Sequence, residues 1–164
     1  MSIGNNKPYA ILVFGAPMSG KTTFATNFSD LIKAPFLNFS SLQAKHRISR
    51  KFSLELISII TKGKNPIIIE GLMDTESERD EVRKLLEDAG YTPVLVWVQT
   101  DLNTIKQRMR HAYHTLDEAK SALAESYERI EAPSDAEKVL VISGKHTHQT
   151  QCRNVINGLD SFQN

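Results

Sequence analysis

One octet near the start of the chain, Gly15-Ala16-Pro17-Met18-Ser19-Gly20-Lys21-Thr22, restricts the folds open to it more than any other stretch. It follows the apolar run Tyr9-Ala10-Ile11-Leu12-Val13-Phe14 and leads into Thr23-Phe24-Ala25-Thr26-Asn27-Phe28, so a G-x-x-x-x-G-K-[ST] pattern stands between a predicted strand and a predicted helix. Gly15 and Gly20 permit a tight turn in which successive backbone N–H groups form a concave nest at a helix N-terminus, a shape suited to polyphosphate. Ala16, Pro17, Met18, Ser19 and Thr23 complete the expected cradle. Lys21 would reach the β- and γ-phosphates as a mobile point charge, and the Thr22 hydroxyl would take one coordination position on Mg²⁺. Nucleotide binding follows from the motif in this context.

The rest of the chain fits an α/β protein with a mainly parallel sheet. Five short apolar runs, 9–14, 36–39, 67–69, 94–98 and 139–142, are separated by helical patterns. Ile67-Ile68-Ile69 and Val94-Leu95-Val96-Trp97-Val98 are apolar on both sides, as central strands covered on two faces must be, and Trp97 reads as core. Thr75-Glu76-Ser77-Glu78 is a capping box, followed by Val82, Leu85, Leu86 and Ala89 at helical spacing and Gly90 as a stop. Asp101 or Thr100 caps the next helix, with Leu102, Ile105 and Met109 as its buried stripe. Thr115-Leu116-Asp117-Glu118 opens another, lined by Leu116, Ala119, Leu123, Tyr127 and Ile130 and ended by Pro133; a last helix is predicted over 148–157, with Gly158 as its stop.

Three further stretches carry chemistry. Ile67-Ile68-Ile69-Glu70 is an apolar strand ending in a carboxylate, which can hold Mg²⁺ through water or orient an attacking group. Gly71 permits close backbone approach beside it, and Asp74 is either a second site acid or part of a helix cap. Residues 40–54 hold Lys45, His46, Arg47, Arg50 and Lys51 with no acid, a cationic wall suited to a phosphorylated acceptor or else a solvated helix face. Arg47 and Arg50, three apart, are placed to share a helical face and one anion. Arg108 and Arg110 end the helix after the fourth run and form a candidate lid near 108–115, where arginines can neutralise charge on a transferring phosphoryl group. His111 and His114, with Tyr113 between them, have no third ligand within reach and read as lid surface, not a metal pair.

In this order the elements resemble the small P-loop kinases, and among them the ATP-binding domains of the polynucleotide-kinase-like and adenylate-kinase-like group. The resemblance spans almost the whole chain and is most specific at residues 15–22. It implies a three-layer P-loop NTPase fold with a five-stranded parallel sheet of order 2-3-1-4-5, and ATP with Mg²⁺ as cofactors. It also implies that Gly144 and Lys145, after the last strand, lie near the adenine, and that Arg79 is a substrate-side or structural arginine. Many such kinases carry an Asp after the second strand as general base; here the chain reads Phe36-Leu37-Asn38-Phe39-Ser40-Ser41. Asn38 or Ser40 can bind an acceptor but cannot readily take its proton, which moves that role to Glu70 or Asp74 or removes it.

The expected organisation is an N-terminal tail over 1–8, one kinase-like domain over 9–159 and a C-terminal tail over 160–164. A net charge of +1 argues for neither a nucleic-acid coat nor a membrane surface, and the lone Cys152 suits a reducing compartment. With no apolar leader and no run long enough to span a bilayer, a cytoplasmic location is expected. No N-K-x-D motif points to a GTPase, and 164 residues do not accommodate an AAA+ ATPase with its helical lid domain. Two readings remain. One is an ATP-dependent phosphotransferase acting on a small-molecule, nucleotide or nucleic-acid-end acceptor; the other is an ATP-binding regulatory module with little intrinsic catalysis.

Overall fold

A computed structural model describes residues 7–112 and 115–162, without the side chains at 116, 119, 122, 123 and 126. Five strands, β1 (Tyr9–Phe14), β2 (Phe36–Asn38), β3 (Ile67–Glu70), β4 (Thr92–Gln99) and β5 (Val139–Ser143), form one parallel sheet in the order β2-β3-β1-β4-β5. This is the expected order. Seven α-helices are described: α1 (Lys21–Ile32), α2 (Phe39–His46), α3 (Arg50–Ile60), α4 (Glu76–Asp88), α5 (Leu102–Ala112), α6 (Leu116–Arg129) and α7 (His148–Leu159).

Side chains alternate across the strands, and both faces of the central strands are apolar, so the sheet needs a helical layer on each side. Ile11, Val13, Ile68, Val94, Val96 and Val98 pack with Phe24 and Phe28 of α1 and with Cys152 and Val155 of α7. Leu12, Phe14, Ile67, Ile69 and Leu95 pack instead with Ile57 of α3 and Val82 and Leu86 of α4. Each such side chain contributes about 1.5–3 kcal/mol relative to its exposed state. The result is three layers with the loops of the nucleotide motif at the C-terminal ends of β1, β3, β4 and β5, where open α/β sheets place their ligands.

The helix boundaries follow local chemistry. Thr75 and Glu78 cap α4 reciprocally, as their spacing predicts. Asp101, not Thr100, caps α5 by accepting from the Thr104 N–H at 3.0 Å. Ile105 and Met109 are buried on α5, but Leu102 is 45 % exposed and is not part of the stripe. The expected contacts of Leu116, Ala119 and Leu123, and the positions of Tyr113 and His114, lie outside the described residues. Helix α6 ends at Arg129, four residues before Pro133. Gly158 does not stop the last helix, which continues to Leu159; the glycine permits close packing, since a Cβ there would stand 2.6 Å from Leu140. Residues 160–162, expected in a tail, form a 3₁₀ turn with Phe162 packed against the α1–α7 side of the core.

Candidate active site

The loop from 15 to 20 joins β1 to α1 in the conformation its motif demands. Gly15 has φ +141°, and a Cβ on it would lie 2.5 Å from the Val98 carbonyl oxygen, so no side chain fits there. Met18 adopts a left-handed φ of 60°, a strained backbone held by its surroundings. Helix α1 starts at Gly20 with no side-chain cap, which leaves its first turn free for an anion. Ser19 Oγ is buried without a hydrogen-bond partner inside the loop. An uncapped helix start, an orphaned hydroxyl and a cradle that excludes side chains fit a polyphosphate. Lys21 Nζ donates to the Ala16 carbonyl at 2.8 Å, across the mouth of the nest. Burial lowers the Lys21 pKa, against the pull of Glu70 and Asp74 in the opposite direction.

The Thr22 hydroxyl donates to Glu70 Oε1 at 2.9 Å, bringing the two predicted Mg²⁺ residues together. Both are hard oxygen donors at the C-terminal edge of the sheet, the chemistry Mg²⁺ prefers. Among the described residues no cluster of three or more His, Cys, Asp or Glu could hold a metal by itself, so an ion here would share its coordination with phosphate and water. Glu70 is 4 % exposed, and burial raises its pKa above the ordinary 4.5, with the Thr22 hydrogen bond and Lys21 opposing. Only the ionised carboxylate binds a cation. A Mg²⁺ titration of the full chain at pH 5 is therefore expected to show weaker affinity than one at pH 8, and Glu70→Gln should reduce that pH dependence.

On one side of the loop lies a cleft of about 290 Å³ lined by Gly15, Pro17, Lys21, Ser40, Glu70, Gly71, Asp74 and Arg129, with Phe14, Met73 and Ile130 as its apolar walls. Ser40 and Asp74 thus reach the expected acceptor side. Asn38 does not: its Oδ1 caps α2 by accepting from the Ser41 N–H at 2.8 Å, and its Nδ2 faces Glu70 Oε2 at 3.5 Å. Arg129 was invisible as a site residue in the sequence, because no motif surrounds it. Its guanidinium pairs with Asp74 at 3.0 Å, from the end of α6.

Several expected anion ligands have other partners. Arg47 ends α2 in a left-handed conformation and is exposed, while Arg50 begins α3, so the two do not share a helical face. Arg50 instead donates to the Leu72 carbonyl and pairs with Glu78 and Glu81, tying α3 to α4. Arg79 is not on the substrate side. It is 1 % exposed, forks onto Glu137 at 2.7 and 2.8 Å, donates to the Glu131 carbonyl and lies 4.8 Å from the Phe14 ring centroid. Lys145 pairs with Asp101 at 3.1 Å and faces a separate groove of about 810 Å³ with Trp97, Tyr127 and Val141, which meets the glycine-rich loop only at Ala16. Arg110 and His111 are exposed on α5.

Arg108 stands where the lid was expected. Its guanidinium donates to the Met18 carbonyl at 2.7 Å and to the Gly144 carbonyl at 2.9 Å. Gly144 presses against the same loop, so that a Cβ there would fall 1.9 Å from the Ser19 carbonyl oxygen, and the Thr100 hydroxyl donates to that oxygen at 2.8 Å. Between these groups a cleft of about 430 Å³ runs from Gly20, Lys21, Thr22 and Thr23 past Arg108 and Gly144 to His146, His148 and Gln151.

A family model described as an AAA domain matches residues 11–133, from within β1 to the segment before β5. The chain belongs to this AAA domain family. No curated protein sequence matches the chain. Among solved structures, it is similar to a gluconokinase from Sinorhizobium meliloti 1021, with a TM-score of 0.71 at 17 % identity over 96 % of this chain and 95 % of that one. It is similar to Chaetomium thermophilum Kti12 in complex with ADP-AlF3, with a TM-score of 0.69 at 15 % identity over 94 % and 99 % of the two chains. It is also similar to the Mycobacterium tuberculosis APS kinase in complex with AMPPNP and APS, with a TM-score of 0.65 at 15 % identity over 94 % and 99 %. What these structures share with the chain at such identities is the P-loop kinase fold. No helix among the described residues is long and apolar enough to cross a membrane.

Proposed function

We propose that this AAA-domain protein is an ATP-dependent phosphotransferase whose acceptor is a small hydroxyl-bearing molecule held between Lys21, Ser40, Asp74 and Arg129. The observation that carries the reading is the pair of clefts meeting at Lys21, one of about 430 Å³ toward Arg108 and one of about 290 Å³ toward Asp74 and Arg129. A phosphoryl donor in the first and an acceptor in the second would face each other across the lysine. The smaller cleft is compact, and with Arg50 and Arg79 engaged elsewhere the cations that line it are Lys21 and Arg129, the latter paired with Asp74.

The chemistry then follows from the residues in place. The acceptor hydroxyl gives its proton to the Asp74 carboxylate as its oxygen bonds to the γ-phosphorus, and the bond from that phosphorus to the β-phosphate bridging oxygen breaks, releasing ADP. Glu70 is taken up with Thr22 and Asn38, which leaves Asp74 as the other carboxylate that lines the cleft. Thr22 and Glu70 would hold Mg²⁺, which supplies charge neutralisation at the phosphates. Lys21 moves from the Ala16 carbonyl to the phosphates, and Arg108, fixed by two carbonyls, contributes positive charge without reorganisation. Arg110 would join only from outside the cleft wall.

Mg²⁺-dependent ADP release, measured with and without polyols, hydroxy acids, nucleosides, nucleoside monophosphates and 5′-hydroxyl oligonucleotides, tests this. A small hydroxyl compound should stimulate turnover, and Asp74→Asn should reduce the stimulated rate about 10²–10⁴-fold. Stimulation by oligonucleotides or nucleotides alone would refute the acceptor assignment. The second reading, a nucleotide-binding regulatory module, is favoured by Asn38, which caps a helix at the position where a base is common. ATP binding with no stimulated turnover would favour it.

A further inference from the structure

The cleft that continues from the phosphate nest past Arg108 ends at a buried amide. Gln151 lies near the start of α7, beside Cys152, and is 3 % exposed. Burying an amide is costly unless its groups are paired. One of them is: Nε2 donates to the Ser143 carbonyl at 2.8 Å. The other, Oε1, accepts no hydrogen bond among the described residues. It is also not among the buried atoms left without a partner, so it opens onto the cleft whose end wall Gln151 forms with His146 and His148. The orientation is locked. A flipped amide would set two acceptor oxygens against each other at the Ser143 contact, so Oε1 is fixed as an acceptor on the side away from Ser143.

We propose that Gln151 reads the 6-position of a purine base, accepting a hydrogen bond from the exocyclic amino group of adenine and so selecting ATP over 6-keto nucleotides such as GTP and ITP. The inference rests on the proposed nucleotide site and deepens it. The phosphate end of the cleft is set by Lys21 and Thr22, and its volume of about 430 Å³ leaves room for a nucleoside beyond them. Arg108, held by the Met18 and Gly144 carbonyls, offers a planar cation for a base to lie against on the way to Gln151. Adenine would place an N–H donor at Oε1. A 6-keto purine would place a carbonyl there, desolvating two acceptors with no bond between them, which is the arrangement that discriminates most strongly.

Calorimetric titration of the full chain, in Mg²⁺, with ATP, ITP and purine riboside triphosphate tests this, since the three differ at the 6-position of the base. ATP is expected to bind about tenfold or more tightly than either of the others. Gln151→Met keeps the side-chain length and removes the acceptor, and should bring the three affinities within about twofold, chiefly by weakening ATP. Equal affinities in the wild type, or a preference for ATP that survives in Gln151→Met, would overturn the assignment while leaving the nucleotide site standing. Failure of the wild type to bind any of the three would overturn both. Because the three nucleotides are first compared on the wild type, equal affinities there overturn the assignment even if the variant does not fold.

Discussion

Replacing Arg79 with alanine is expected to lower the unfolding free energy by about 3–5 kcal/mol, the usual cost of leaving one member of a buried ion pair without the other. Glu137 would be that member: its side chain is 3 % exposed, and Arg79 supplies two of its hydrogen bonds, beside one from the Ser134 N–H. The same guanidinium donates to the Glu131 carbonyl and lies against Phe14, so the loss would also loosen the segment that carries Ile130 into the acceptor cleft. For a chain of 164 residues the thermal midpoint should fall by on the order of 10 °C. The effect has a pH signature. Hydrogen bonding to Arg79 holds the Glu137 carboxyl below its ordinary 4.5, so this pair's contribution is fully present above that value. It is lost as pH falls through the lowered folded-state pKa, and the gap between wild type and Arg79→Ala should narrow over the same window. Thermal melts of both proteins at pH 7 and pH 3 measure it. An equal gap at the two pH values would mean that packing, not the ion pair, dominates.

On the proposed function, Lys21→Ala is expected to reduce kcat/KM for phosphoryl transfer by two to three orders of magnitude or more, because it removes the charge assigned to the transferring group as that group becomes most anionic. Stability should move the other way or not at all. Burial lowers the Lys21 pKa, which means that holding the ammonium in place costs folding free energy below that pKa, even with Glu70 and Asp74 nearby. Loss of turnover with an unchanged or raised thermal midpoint would identify Lys21 as a residue kept for chemistry. Loss of both together would instead assign it a structural role through its hydrogen bond to the Ala16 carbonyl.

What the sequence by itself determined was whatever depends on neighbours along the chain. The Gly15 to Thr22 pattern between an apolar strand and a helix led to the nucleotide nest, and the two-sided apolar runs required a sheet covered on both faces. Glu70 met Thr22, and Arg108 met the loop, because each sits at the end of a strand or helix whose place the fold dictates. The strand order came through the resemblance to small P-loop kinases. Tertiary structure alone decided the fate of the other charges. Arg50, Arg79 and Arg129 look alike in a one-dimensional reading, but Glu81 claims the first, Glu137 buries the second, and only the third pairs with Asp74 in the cleft proposed for the acceptor. Gln151 likewise gave no local signal, and its role comes from the Ser143 carbonyl that fixes one side of its amide and the cleft that opens on the other. A long polar side chain can reach many partners, and which one it finds depends on elements distant in sequence that only the folded chain brings within hydrogen-bonding distance.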